Sequence, residues 1–129
     1  LRFELIDRVI ELEENNIRAL KTVTSAEEYL GDHFPGFPVL PGVMMLETLV
    51  QAGRKLTDAL PQSPTMPLVV KEVRNLKYGN MVKPGQTLEV EVTLKKAEQD
   101  KYDFTGVGTV DGQVAVKGRF TLIPLDQAE

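Results

Sequence analysis

The pattern of apolar and polar positions divides the 129-residue chain into stretches of different character. From Arg2 to Leu12 and again from Ile17 to Thr24 the residues suit extended backbone, and the polar group Glu13, Glu14, Asn15 and Asn16 between them predicts a hairpin. In the middle, Val43 to Ala59 is built from good helix formers. Its apolar residues Val43, Met44, Met45, Leu46, Leu49, Val50, Ala52 and Leu56 cover nearly the whole circumference of the first turns, which predicts a helix buried on most sides. Beyond a connector marked by Pro61, Pro64 and Pro67, everything reads as strand. Leu88, Val90, Val92 and Leu94 alternate with Glu89, Glu91, Thr93 and Lys95, the period-two pattern of a strand with one wet face. Tyr102 to Val110 and Gln113 to Ile123 flank Asp111-Gly112, a strong hairpin turn, and Leu68 to Tyr78 is a less regular strand. Asp126 to Glu129 read as a frayed end.

A hairpin, a buried central helix and then successive antiparallel strands, without a parallel β-α-β rhythm, predict an α+β fold with the sheet wrapped around one helix. The length fits a single domain spanning 1–129. Between the first hairpin and the central helix the pattern breaks. Ser25 and Glu28 fit a capping box, so Ala26 to Leu30 is expected as a short helix. Gly31 to Gly42 then carries Pro35, Pro38, Pro41, Gly36 and Gly42, a spacing that only a loop accommodates.

Composition removes several classes of function. A net charge of −4 with no long basic run lacks the electrostatic footprint of a nucleic-acid binder. The absence of cysteine excludes disulfides, thiolate metal sites and a cysteine nucleophile, and suits the cytoplasm. The longest apolar stretch, Val39 to Ala52, contains Pro41, Gly42, Glu47 and Gln51 and is too short and too polar for membrane insertion.

Candidate chemistry gathers around the start of the central helix. His33 is the chain's single histidine and lies in the proline- and glycine-rich loop. Taken alone such a residue is more often solvated or structurally bonded than catalytic, and one histidine makes no metal site. Glu47 is the one charge between His33 and Arg54. Set among apolar residues, its carboxylate is expected to be desolvated, which raises a carboxyl pKa and poises it for proton transfer. The alternative is an exposed seam of the helix with Glu47 turned toward Arg54. Gln51, four residues on, shares the face and can orient the carboxylate. Pro41-Gly42 stands where the first amides of the helix lack partners, which serves either plain helix initiation or close approach of a ligand.

The run His33-Phe34-Pro35-Gly36-Phe37-Pro38-Val39-Leu40-Pro41-Gly42-Val43, followed by Leu46-Glu47 and Gln51, resembles the signature of FabZ-type 3-hydroxyacyl-[acyl carrier protein] dehydratases. Leu5-Ile6-Asp7-Arg8-Val9 is similar to that family's first strand and Val82-Lys83-Pro84-Gly85 to its later turn, so the resemblance extends over nearly the whole chain. It implies a hot-dog fold, a curved antiparallel sheet around a long central helix, and an obligate homodimer or trimer of dimers. It further implies an acyl tunnel at the dimer interface, with the histidine of one subunit working beside the acid of the other. By position, His33 is then the base, Glu47 the acid partner, Gly42 the amide that polarises the thioester carbonyl, and Gln51 a supporting residue. The implied activity is dehydration of 3-hydroxyacyl thioesters on acyl carrier protein in fatty acid biosynthesis, with no cofactor and no metal. Three positions depart from the pattern. The chain begins at Leu1-Arg2-Phe3, after the usual leucine-proline-histidine-arginine segment; Asn80-Met81 replaces arginine-proline; Thr48 replaces alanine. Rival readings on the same fold are an acyl thioesterase, a dehydratase that also isomerises the new double bond, and a non-catalytic acyl-binding module. Glu47 argues against the isomerase, since the related enzymes with that ability carry aspartate at the acid position. Arg54, Lys55, Arg74, Lys77 and Lys83 are the candidates for receiving an acidic carrier, against the plain alternative of solvated cations.

Overall fold

A computed structural model describes residues 5–23, 40–61 and 64–127. These residues form β1 (Arg8–Leu12), β2 (Asn16–Thr22), α1 (Gly42–Asp58), β3 (Leu68–Tyr78), β4 (Thr87–Glu98), β5 (Lys101–Val110) and β6 (Gln113–Pro124), with a 3₁₀ turn at Leu125–Gln127. The six strands make one antiparallel sheet in the order β1-β2-β4-β5-β6-β3, leaving β1 and β3 as its edges. The predicted elements are present within two residues where strand or helix ends are described, except at β1, which starts at Arg8 rather than Arg2, and at β4, which runs on to Glu98, three residues past Lys95. Asp126 belongs to the terminal 3₁₀ turn rather than to a frayed end. The expected short helix Ala26 to Leu30 and most of the proline-rich loop lie outside the described residues.

Helix and sheet meet through alternation. On β4 the even residues Leu88, Val90 and Val92 are fully buried, and on β5 Tyr102, Phe104 and Val110 are buried. The helix touches every strand from β2 to β6. Five strands span about 19 Å at their ordinary spacing, while a helix with side chains is about 10–12 Å wide, so the sheet must curl around it. Small residues set the depth of contact. A Cβ on Gly53 would meet the Phe120 ring at 3.1 Å, and one on Gly106 would meet Leu49 at 3.3 Å. Phe104 and Phe120 pair across β5 and β6 as stacked rings with centroids 5.0 Å apart. This is the hot-dog arrangement.

The β5–β6 turn confirms its chemistry: Asp111 and Gly112 both have positive φ, 51° and 80°, as a two-residue hairpin loop of this kind requires. At the other end of the sheet, Val23 and Leu40 are tied to one turn. Val23 donates to Gln86 O at 3.0 Å, Gly85 donates to Val23 O at 2.8 Å, and Leu40 donates to Val82 O at 2.8 Å. The chain therefore leaves for the His33 segment and returns from it at the same place, directly before the helix.

Candidate active site

Helix α1 starts without a side-chain cap. Pro41 stands at its N-cap with extended backbone, its carbonyl takes the Met44 and Met45 amides at 2.9 and 3.1 Å, and no acidic residue occupies the first turn. The amides of Gly42 and Val43 thus precede the hydrogen-bonded ladder, at the positive end of a seventeen-residue helix. The space above them is shaped by Tyr78, whose ring lies so close that a Cβ on Gly42 would sit 2.9 Å from its Cζ. Partial burial pushes the Tyr78 phenol above its usual range.

Glu47 follows Gly42 by five residues, about 7.5 Å along the axis. The prediction of a helix buried on most sides is corrected here. Met45, Leu49, Ala52 and Leu56 do face the core, but Val43 is 64% exposed, and Met44 and Leu46 are only partly covered. Val43, Glu47, Gln51 and Arg54 share an outward stripe, and this stripe forms one wall of an open cavity of about 1010 Å³. The opposite wall comes from Pro64, Met66, Pro67, Leu68 and Val69 at the start of β3, with Leu125 beyond it. In the single chain the Glu47 carboxylate is not desolvated: its side chain is 41% exposed, and Oε1 accepts a hydrogen bond from Arg54 Nη1 at 3.2 Å. The seam alternative describes the single chain. Arg54 in turn donates from Nε to Leu68 O at 3.1 Å.

Gln51, on the same face as Glu47, has its amide oxygen engaged elsewhere. Its Oε1 accepts the Leu5 amide at 2.9 Å and so fastens the segment before β1 to the helix. Thr48, one of the departures, is buried and donates from Oγ1 to Met44 O at 2.7 Å, so its hydroxyl is committed within the helix. Asn80, another departure, binds Gln113 Oε1 at 2.8 Å, beside Met81, which is largely exposed. His33 lies outside the described residues, so the structure brings together Gly42, Glu47 and Gln51 on one helix without placing the base. Among the described residues no group of three or more His, Cys, Asp or Glu side chains could hold a metal ion. No described helix is long and apolar enough to cross a membrane.

Sequence reasoning weighed Arg54 as an alternative partner of Glu47 but missed its bond to β3, and it missed Tyr78. The i, i+7 spacing of Glu47 and Arg54 was the available signal for the first; Tyr78 reaches Gly42 across 36 residues of chain, and no local pattern marks it.

Residues 9–119 match the model of the ApeI-like family, described as ApeI dehydratase. The chain is 37% identical over 119 residues to the 3-hydroxyacyl-[acyl-carrier-protein] dehydratase FabZ of Lactococcus lactis subsp. cremoris, covering 92% of this chain and 83% of that protein. It is 31% identical to the FabZ of Rickettsia massiliae, covering 98% and 88%. Among solved structures, the dehydratase heterocomplex ApeI:P from Xenorhabdus doucetiae superposes with a TM-score of 0.74 at 20% identity, covering 98% of this chain and 86% of that one.

Proposed function

Since the chain belongs to the ApeI-like family of dehydratases and is related to FabZ enzymes, we propose that it dehydrates (3R)-3-hydroxyacyl thioesters carried on acyl carrier protein to trans-2-enoyl thioesters in cytoplasmic fatty acid biosynthesis. The observation that carries this reading is the placement of Glu47 in the wall of an open cavity, one and a half turns from the Gly42 and Val43 amides, which precede the hydrogen-bonded ladder of the helix. His33 takes the C2 proton. The electron pair left behind forms the C2–C3 double bond as the C3 hydroxyl departs with a proton from Glu47, giving water. Charge that gathers on the thioester oxygen is met by the Gly42 amide, a type of contact worth on the order of 10²–10³ in rate. The proton transfers contribute about 10²–10⁴ more.

A second copy completes the site. Among the described residues β3 is a free edge, and Val43, Met66, Val70, Tyr78 and Met81 leave apolar surface open beside it. Pairing through that edge would cover this surface and exclude water from Glu47. In such a homodimer His33 of one subunit serves Glu47 of the other, and a trimer of dimers extends the same unit. Lys55, beside the cavity, and the exposed Arg74, Lys77 and Lys83 offer cations to an acidic carrier.

The test is an assay of enoyl thioester formation by ultraviolet absorbance from a short 3-hydroxyacyl thioester, with His33→Ala and Glu47→Gln as controls. Activity that survives His33→Ala removes the assignment, and release of free thiol without enoyl product selects a thioesterase instead. Mixing His33→Ala with Glu47→Gln subunits should restore activity. No recovery despite subunit exchange counts against a site shared across the boundary.

A further inference from the structure

Alternate residues of an antiparallel strand turn their amide and carbonyl away from the neighbouring strand. Leu68 of β3 lies opposite Pro124 of β6, and the adjoining bond runs from the Leu125 amide to Pro67 O at 2.8 Å. That register makes Leu68 and Pro124 a pair that exchanges no bond, so the Leu68 carbonyl points off the free edge of the sheet. A carbonyl in that position takes its partner from outside the ladder. Arg54 supplies it with Nε, and the Nη1 of the same group reaches Glu47. Because a guanidinium is planar and rigid, fixing Nε on the strand fixes the direction in which Nη1 holds the carboxylate.

The pair is too open for this to be chiefly a matter of stability. With side chains 36% and 41% exposed, Arg54 and Glu47 make the kind of ion pair whose net contribution is small. Orientation is the larger effect, since both side chains line the cavity and one oxygen of the carboxylate is held by the arginine.

We propose that Arg54 is a positioning residue: it fixes the Glu47 carboxylate in the cavity and couples its orientation to the free edge of β3. The proposal rests on the reading of Glu47 as the acid partner. Seating of a second subunit along β3 then bears directly on the acid through one side chain, and a shift of Leu68 is passed to Glu47.

The experiment uses the full chain in the dehydration assay, with Arg54→Met, Arg54→Lys, Glu47→Gln and the Arg54→Met/Glu47→Gln double variant. Arg54→Met keeps the apolar stem and removes both donors. Its kcat should fall on the order of ten- to a hundredfold while KM stays within about twofold, with melting temperature and oligomer size unchanged. Arg54→Lys, which keeps the charge but not the rigid fork, should recover part of the loss. In the Glu47→Gln background Arg54→Met should cost nothing more. Wild-type kcat in Arg54→Met, a loss carried by KM, or an equal loss in the Glu47→Gln background overturns the proposal. If Arg54→Met does not fold, Arg54→Lys decides: lower kcat at unchanged KM supports the fork, and wild-type kcat overturns it. Wild-type turnover in Glu47→Gln is a separate failure, because it removes the acid assignment itself.

Discussion

Alanine at position 42 separates two reasons for the glycine there. A Cβ would lie 2.9 Å from Cζ and 3.0 Å from Cε1 of Tyr78. Carbon atoms rest comfortably at about 3.5–4.0 Å, so the ring must withdraw by roughly 0.5–1 Å. Tyr78 is half exposed at the end of an edge strand, and such a ring can swing toward solvent at little cost. Helix propensity acts in the opposite direction, favouring alanine over glycine by up to about 1 kcal/mol. The two effects nearly cancel, and Gly42→Ala should fold with its stability altered by no more than about 1 kcal/mol. Activity should respond far more. The new methyl occupies the approach to the Gly42 amide, and displacing a reacting group by about 1 Å costs on the order of 10²-fold. The assay is enoyl thioester formation for Gly42→Ala, Tyr78→Ala and the double variant, each with a melting curve. If the thioester needs the space, the double variant stays about 10²-fold below Tyr78→Ala although the collision with the ring is gone. A Gly42→Ala enzyme with wild-type kcat/KM, or a double variant as active as Tyr78→Ala, refutes the reasoning and leaves the glycine as a seat for the ring.

Other consequences are simpler. Phe120 is almost fully buried and stacked on Phe104, so Phe120→Ala should destabilise the fold by about 3–5 kcal/mol in denaturant unfolding; a loss below about 1 kcal/mol contradicts the packing. Gly112 has φ of +80°, and Gly112→Ala should cost about 1–2 kcal/mol with activity unchanged. Val43→Asp alters a side chain already 64% exposed in the single chain, so the monomer fold should survive while self-association, followed by sedimentation, weakens; an unchanged dimer removes that surface from the interface. Burial raises the phenols of Tyr78 and Tyr102 above 10.0, with Asp100 adding to the second. The folded state therefore binds those protons more tightly than the unfolded state. The stabilisation is complete below pH 10.0 and disappears as pH rises through the folded values, which phenolate absorbance read beside alkaline unfolding will follow.

The sheet was readable because its signals are local. Leu88, Val90 and Val92 alternate with charged neighbours since one face of β4 meets the helix and the other meets water, and Asp111-Gly112 names its own turn through two positive φ angles. Strand order is another matter: that β3 pairs with β6 and lies at an edge depends on long-range packing that no window of sequence contains. The helix departs from its pattern for a physical reason. Apolar residues on nearly all sides of its first turns predict burial on most sides, whereas Val43 and Met44 face the open cavity. Their apolar character fits a surface that a second copy covers.

The same distinction governs the acid. In sequence, Glu47 stands among Met44, Met45, Leu46, Leu49 and Val50, which argues for a desolvated carboxylate. In the fold those neighbours divide: Met45, Leu49 and Val50 turn to the core, while Glu47 turns outward to Arg54. Desolvation thus cannot come from the helix that carries the acid; it has to come from whatever closes the cavity. That makes the protonation chemistry proposed for Glu47 a property of the closed assembly, with Arg54 setting the direction of the group. A monomeric variant should therefore keep the Glu47–Arg54 pair and lose turnover. Sedimentation of Val43→Asp as a monomer with full dehydratase activity would refute that dependence.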